Sequence, residues 1–158
     1  MVIVARDFGA AVCVMHMQGN PQTMQVNPSY EDVVEEVAAY MAERTESLVA
    51  VGIDRQRICL DPGIGFGKSL AENLSIINNL AIYHALGCAI LFGASRKRLI
   101  GALSNEATAD ERLGGSLYLA MKAVEQGAHI VRVHDAAETV QAIQVWRGLR
   151  DTALTALA

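Results

Sequence analysis

The sequence predicts a single α/β domain over residues 1–158, in which parallel strands are covered by helices. Three observations predict this class. Four short apolar runs have the length and aliphatic content of buried strands, and a helical segment with its own signals follows each of them. Hydrophobic residues make up 52% of the chain and aromatic residues only 5%, as in the aliphatic cores of layered α/β proteins. No Pro- or Ser-rich linker divides the chain.

The predicted strands are too short for helices and rich in bulky aliphatic residues. Their apolar residues run almost continuously, so both faces of each strand are expected to be covered, as in a parallel sheet. The strands are AAVCVM (10–15), RICLD (57–61), CAILFG (88–93) and HIVRVH (129–134).

Helices are predicted over residues 29–51, 69–80, 108–126 and 136–150. The first three begin at a Ser or Thr with an acidic residue three positions later, which is the pattern of a capping box. A glycine follows the first and the third, as at many helix C-termini. These residues are Ser29, Asp32 and Gly52, then Ser69 and Glu72, then Thr108, Glu111 and Gly127.

Two architectures fit the order β-α-β-α-β-α-β-α. One is an open doubly wound sheet, and the other is part of a (β/α)8 barrel of the TIM type. A full barrel needs about 250 residues, so four βα units are about half of one.

Charge and hydropathy exclude several classes of function. The formal net charge is −4, so there is no electrostatic case for binding nucleic acid or an anionic membrane. No apolar run could span a bilayer, and the N-terminus lacks the long apolar core of a signal peptide, so we expect a cytoplasmic protein. Cys13, Cys59 and Cys88 lie in apolar runs and form no C-x-x-C pair, so we expect buried, reduced thiols.

Polar residues follow each predicted strand at its carboxyl end, where parallel α/β proteins bind their ligands. Asp61 ends the second strand, because Pro62 withholds a backbone donor and favours extended geometry before it. The Asp61 carboxylate suits the paired N–H donors of an amidine or aminopyrimidine edge. A helix or turn cap is an equally open interpretation of Asp61.

The loop after Asp61 matches no nucleotide-binding motif. A Walker A sequence would have glycine where Pro62 stands, and the dinucleotide pattern would need glycine where Lys68 stands. The glycines are expected to turn tightly or to let the backbone approach a ligand. We expect Lys68 to be a solvated loop lysine, with a phosphate contact as the alternative.

Basic residues follow the third and fourth strands. The run 96–98 suits either a solvated turn or an anion-binding group, and Lys97 lies at its centre. Arg132 and His134 lie two residues apart on one strand, so they point to the same face and suit a phosphate or diphosphate. His16 has no second His or Cys at metal-ligand spacing, so no zinc site is expected.

Four motifs together closely resemble the C-terminal half of bacterial dihydropteroate synthases. The likeness covers nearly the whole chain, in the family's order and spacing. The motifs are MHMQGNPQTMQ (15–25), DPGIGFGK (61–68), GASRKRLIG (93–101) and RVHDAAETVQA (132–142).

The resemblance implies a (β/α)8 barrel and a transferase of folate biosynthesis. That family joins p-aminobenzoate to 6-hydroxymethyl-7,8-dihydropterin diphosphate and releases pyrophosphate, and sulfonamides compete for the p-aminobenzoate position. By resemblance, Asp61 would hold the aminopyrimidine edge of the pterin. Lys97 would bridge the two substrate sites, and Arg132 and His134 would grip the diphosphate, which makes these three the implied catalytic residues.

The resemblance implies further substrate-binding residues. Ser95 and Phe66 would flank p-aminobenzoate, Met15 would line the pterin pocket, and Gly93 belongs to the same set. The chain departs from the family because no counterpart of the family's first half is found. That half carries the Asn that holds Mg²⁺, so Mg²⁺ is expected as a cofactor without a ligand in this chain. The segment 1–10 looks like the end of the family's fourth helix.

The departure has physical consequences. Four strands cannot close an eight-stranded barrel, so two strand edges and the inner face would lack cover. We therefore expect the chain to form a homodimer or to pair with an N-terminal half, or else to be unstable, and to have little synthase activity alone. The alternatives are a pterin-binding module of a folate-dependent methyltransferase and a non-catalytic truncated chain.

Overall fold

The computed structural model describes residues 2–20, 22, 24 and 28–155. Strands and helices alternate in the predicted order. The strands are β1 (Val12–Met15), β2 (Ile58–Asp61), β3 (Ala89–Phe92) and β4 (Ile130–Val131). The α-helices are α1 (Val2–Asp7), α2 (Val33–Ala50), α3 (Leu70–Asn78), α4 (Arg98–Leu103), α5 (Leu113–Glu125) and α6 (Ala136–Thr155). Short 3₁₀ helices lie at Arg55–Arg57, Leu80–Leu86 and Ala109–Glu111.

The four strands form one parallel sheet in the order β1-β2-β3-β4. Each strand therefore lies beside the next one along the chain. A doubly wound sheet reverses its strand order at a switch point, whereas a barrel adds its strands in sequence. The order decides between the two predicted architectures, because it is that of four βα units of a (β/α)8 barrel, about half of the whole.

Alternate residues of the strands divide the sheet into two faces. The helix-covered face is apolar, and its residues Ile58, Leu60, Ile90 and Phe92 are at most 2% exposed. They belong to one core with apolar residues of α2 and α3. Burial of this face against the helices is the main source of stability for the unit.

The other face of the sheet, which we call the open face, carries Cys13, Met15, Cys59 and Asp61. It has less cover, because Cys13 is exposed and Cys59 is half-buried. The prediction of buried thiols is therefore wrong for Cys13, although Cys88 is buried. The enclosure of each thiol is only partial, but it raises the pKa of Cys13, with the Asp61 charge as a second cause, and it raises that of Cys59 to about 11. Among the described residues, no helix is long and apolar enough to cross a membrane.

The helix starts agree only in part with the predicted caps. Ser69 and Glu72 form the predicted capping box of α3. The predicted start at Ser29 is wrong, because the side chain of Asp32 caps α2 by accepting the N–H groups of Val34 and Glu35. The predicted Thr108 box also exists, but it caps the 3₁₀ helix Ala109–Glu111, and α5 begins later, at Leu113.

Candidate active site

Asp61 ends β2 as a buried carboxylate, with 4% of its surface exposed. Its Oδ1 accepts the Gly63 backbone N–H at 2.8 Å, so the turn-cap interpretation holds for this oxygen. No described residue donates a hydrogen bond to Oδ2. Burial raises the pKa of Asp61, while the Gly63 N–H and nearby cations act against that rise.

Three cations lie close enough to Asp61 to affect its ionisation. The charges of Arg132, Lys97 and Lys68 each lower the pKa of Asp61. Burial and the charge of Arg132 lower the pKa of Lys97. Met15 lies beside Asp61 in the register of β1 and β2. The carboxyl ends of adjacent parallel strands thus bring Asp61, Lys97 and Arg132 into one electrostatic neighbourhood.

Gly93 makes room for Arg132. Phe92 pairs with Val131, so Gly93 lies beside Arg132 in the continuing register. The Arg132 N–H donates to the Phe92 carbonyl at 2.8 Å, although the strand, predicted to reach residue 134, ends at Val131. A Cβ at Gly93 would lie 3.1–3.4 Å from the guanidinium atoms. Any side chain at position 93 would therefore displace the exposed Arg132 head group.

Phe66 and Lys97 contact each other across two loops. The Lys97 Nζ lies 4.0 Å from the centre of the Phe66 ring, within the range of a cation–π interaction. Lys97 precedes α4 in extended geometry, which brings its side chain back over Gly65. A cleft of about 460 Å³ opens beside this contact, and Lys97 and Arg98 are among its lining residues. The cleft has room for a small aromatic acid.

Ser95 holds the His134 ring from the neighbouring strand end. Its Oγ accepts the His134 backbone N–H at 3.2 Å and lies 3.0 Å from the ring Nδ1. The Ser95 O–H can donate to Nδ1, since accepting the backbone N–H does not use it. In that tautomer the imidazole proton lies on Nε2 of this exposed residue, where it can be donated to an anion.

Arg96 has a role that the sequence did not predict. Its guanidinium donates to both carboxylate oxygens of Asp135, at 2.6 and 3.2 Å, and pairs with Asp110 at 3.2 Å. Its backbone N–H donates to the Ser116 hydroxyl at 2.8 Å, and its φ of +56° is costly for a residue other than glycine. Neither alternative stated for the run 96–98 describes this residue. Arg96 clamps the loop carrying Ser95 to the segment after β4.

The prediction of a solvated Lys68 is wrong. Lys68 is 3% exposed, and its ammonium contacts acceptors within the protein. One of these is the ring of His16, which lies 52 positions away in the sequence, so no local pattern could reveal the contact. The described residues contain no group of three or more His, Cys, Asp or Glu side chains that could hold a metal ion.

A family model described as pterin binding enzyme matches residues 1–134, a span that includes Asp61, Lys97, Arg132 and His134. The chain belongs to the pterin binding enzymes. The matched span ends at His134, beyond β4, so it covers all four strands and their carboxyl ends.

Proteins similar to this chain include dihydropteroate synthases. This pterin binding enzyme is 48% identical over 150 residues to the dihydropteroate synthase of Neisseria meningitidis serogroup B, covering 93% of this chain and 53% of that protein. The Yersinia pestis dihydropteroate synthase, solved as a sulfonamide drug complex, gives a TM-score of 0.91 at 39% identity, covering 96% of this chain and 55% of that one. The Thermus thermophilus synthase, solved with 6HMPPP or with 4-aminobenzoate, gives 0.89 at 39% identity, covering 94% of this chain and 59% or 60% of that one. The chain spans about half the length of the curated relatives it matches.

Proposed function

We propose that this pterin binding enzyme supplies the pterin- and diphosphate-binding part of a dihydropteroate synthase. The reaction joins p-aminobenzoate to 6-hydroxymethyl-7,8-dihydropterin diphosphate, giving 7,8-dihydropteroate and pyrophosphate. The observation that carries the proposal is the buried carboxylate of Asp61 among the cations Lys97 and Arg132. That grouping complements a substrate with an aminopyrimidine edge at one end and a diphosphate at the other.

In the proposed complex, the pterin ring binds at the end of β2. Oδ2 of Asp61 accepts an N–H of the aminopyrimidine edge, while Oδ1 keeps its hydrogen bond to Gly63. Nearby cations favour the ionised carboxylate that this contact requires. Met15, beside Asp61 in the register, provides an apolar and adaptable wall for the flat ring.

The chemical step needs no covalent enzyme intermediate. The amine nitrogen of p-aminobenzoate attacks the CH₂ carbon, the C–O bond to the diphosphate breaks, and pyrophosphate leaves with the electron pair while the amine gives a proton to solvent. Negative charge grows on the leaving oxygens, where Arg132 and the Nε2–H of His134 donate. Lys97 lines the cleft that would take p-aminobenzoate, and its ammonium contacts the Phe66 ring, which would flank that substrate. Positioning of the two substrates supplies the rest of the acceleration.

Ser95 takes a supporting part in this scheme through its contact with His134. Mg²⁺ belongs to the proposal as a cofactor. The described residues offer no carboxylate set that suits it. We further propose that the chain acts in the cytoplasm. A second copy or a complementary half-barrel would cover the outer edges of β1 and β4.

Calorimetric titration tests the binding part of the proposal. The chain is expected to bind 6-hydroxymethyl-7,8-dihydropterin diphosphate and not 5-methyltetrahydrofolate, which a methyltransferase module would prefer. No binding of the diphosphate would contradict the proposal, and preference for the methylated folate would favour the methyltransferase alternative.

A turnover assay tests the rest. With both substrates and Mg²⁺, the chain alone is expected to form little dihydropteroate. Addition of the part of the Neisseria synthase that this chain does not match is expected to restore turnover, because the barrel can then close. Full turnover by the chain alone, or none in the mixture, would contradict this part of the proposal.

A further inference from the structure

Lys68 is a buried cation whose ammonium is fully used by the protein. Its Nζ lies 2.9 Å from Nδ1 of His16 and donates to the backbone carbonyls of Gly63 and Phe66, each at 3.0 Å. An ammonium has three N–H donors, so these three acceptors satisfy it. With all three donors occupied, the ammonium has none left for a substrate. Its role therefore depends on the protein groups that it connects.

The protonation states agree with this geometry. Burial and the Lys68 charge lower the pKa of His16 to about 4, so at neutral pH the ring is neutral and its Nδ1 can accept. Burial lowers the pKa of Lys68 to about 8, against the opposing charge of Asp61, so Lys68 remains mostly protonated at neutral pH. The His16 ring packs edge-to-face with the ring of Tyr40 in α2, with centroids 5.0 Å apart, which fixes the acceptor in place.

Lys68 joins two separate strand ends. His16 follows β1 directly, whereas Gly63 and Phe66 belong to the loop after β2. The loop lies tightly against β1, because a Cβ at Gly63 would come within 1.9 Å of the His16 carbonyl oxygen. The Gly63 N–H donates to Asp61, and the Phe66 ring contacts Lys97. The two carbonyls held by Lys68 therefore belong to the residues that present the proposed substrate contacts.

A second buried side chain supports the same loop from α3. The Asn73 Oδ1 accepts the Gly65 N–H at 2.6 Å, and its Nδ2 donates to the carbonyls of Lys68 and Ser69 at 3.1 and 2.7 Å. Asn73 holds the middle and the end of the loop. The Lys68 side chain instead ties the loop to the end of β1. Loss of the ammonium would leave the Phe66 carbonyl and the His16 Nδ1 without the donor that they share. The Gly63 carbonyl would keep only the Phe66 N–H, which it accepts at 3.1 Å.

We propose that Lys68 is a positioning residue for the pterin site, because it fixes the loop 63–67 on the end of β1 and thereby sets the placement of Asp61 and Phe66. This inference rests on the proposed function, since it assumes that a pterin binds at Asp61. Arg132 and His134 lie beyond β4, and neither is among the hydrogen-bond partners of the Lys68 ammonium. The substrate contacts at β2 therefore depend on Lys68, and the diphosphate contacts at β4 do not.

The test compares Lys68→Met with Lys122→Met in the full chain. The chain has three lysines, and Lys122, half-buried in the last turn of α5, is the one outside the proposed site. Two probes are titrated separately: 6-hydroxymethylpterin, which lacks the diphosphate, and inorganic pyrophosphate. We expect Lys68→Met to weaken pterin binding at least tenfold and pyrophosphate binding less than twofold. Lys122→Met should change neither.

The possible failures are distinguishable. No pterin binding by the unsubstituted chain overturns the proposed function, and this inference with it. Equal pterin affinity in the unsubstituted chain and Lys68→Met overturns the inference alone. An equal loss for both probes assigns Lys68 to general stability and also overturns it.

A rescue experiment covers the case in which Lys68→Met does not fold. Lys68→Ala removes a propylammonium group, so added propylammonium should restore pterin affinity several-fold. Tetramethylammonium has the same charge and no N–H donor, so it should restore nothing. Rescue by both ions, or by neither, would overturn the positioning role, because the role requires N–H donors at that place.

Discussion

The two faces of the sheet are built from alternate residues of the same strands, and they have different roles. Leu60, on the helix-covered face, is fully buried in an apolar core. Asp61, the next residue, is equally enclosed but lies on the open face among Arg132 and Lys97. A shift of one position along a strand therefore changes a residue from a source of stability into a candidate ligand contact. Stability and binding should therefore be separable by substitution.

One residue departs from this division. His16 continues β1 by donating its N–H to the Asp61 carbonyl, and its side chain contacts Tyr40 of α2. It is thus a polar, 6% exposed residue on the helix-covered side, where its partner is the ammonium of Lys68. The apolar layer ends at this pair, directly beneath the loop of the proposed site.

The largest expected effect belongs to the helix-covered face. Phe92→Ala should lower the free energy of unfolding by about 3–5 kcal/mol, because it removes a buried ring and leaves a cavity. Urea denaturation measures the change. Arg132→Met is the comparison variant from the open face, and it should change the free energy of unfolding by less than about 0.5 kcal/mol. Similar losses in the two variants would break the division between the faces.

The second prediction concerns the stability that the protein loses at acid pH because of His16. Its pKa is lowered to about 4 in the folded chain, from an ordinary value of 6.5, so the unfolded chain binds more protons between these values. The contribution of His16 to stability is therefore present above pH 6.5 and is lost as the pH falls toward 4, by roughly 3 kcal/mol at most.

The matched variant for this prediction is His16→Gln, whose side-chain oxygen accepts from Lys68 and does not titrate. Other groups contribute alike to both proteins, so the difference between their unfolding free energies isolates His16. That difference should grow as the pH is raised from 4 to 6.5. A constant difference over this range would show that His16 does not titrate as described.

The order of strands and helices could be predicted because it rests on local periodicity. The grouping of Asp61 with Lys97 and Arg132 could also be predicted, since the carboxyl ends of parallel strands meet at one edge of the sheet. The predicted helix start at Ser29 failed for a tertiary reason. Both backbone polar groups of Ser29 bond the amide side chain of Gln18, which lies 11 positions earlier.

The support beneath the site could not be predicted. The sequence predicts that Lys68 is a solvated loop lysine, because its neighbours are glycines and a serine. Its burial depends on His16, brought near by the parallel pairing of β1 with β2. In the same way, Arg96 meets Asp135 only because β3 and β4 are adjacent. Sequence patterns reveal which residues end a strand, but not which side chains cross between strand ends.

The third prediction concerns Asp61→Asn on the open face. Replacement of the carboxylate should weaken 6-hydroxymethylpterin binding by about 2 kcal/mol, or roughly 30-fold, because a charged acceptor is lost. The free energy of unfolding should stay equal or rise, since a buried carboxylate with a raised pKa costs free energy when ionised. Asp151→Asn, an exposed change, is the control. A loss of stability equal to the loss of binding would contradict the prediction.

The pH dependence of Asp61 has opposite signs for binding and stability. Its folded pKa lies above the ordinary 3.8, so its contribution to stability is present below pH 3.8 and is lost as the pH rises through the folded value. Pterin binding requires the ionised form and should strengthen over the same window. Asp61→Asn should remove the contribution of Asp61 to both dependences. The difference between the two proteins across this window, in titration calorimetry and in urea denaturation, would measure that contribution.

The smallest effect is expected at Gly93. An added Cβ would meet the Arg132 guanidinium at 3.1–3.4 Å, but that group ends a flexible, exposed side chain and can move by a few tenths of an ångström. Gly93→Ala should therefore weaken pyrophosphate binding about threefold, equivalent to less than about 1 kcal/mol, and leave 6-hydroxymethylpterin binding unchanged. Gly148→Ala is the matched control, because nothing lies within 4 Å of its added Cβ and the change favours helix α6. If Gly93→Ala weakens both probes equally, Arg132 does not act on the diphosphate alone, and the division of the open face into a pterin end and a diphosphate end is wrong.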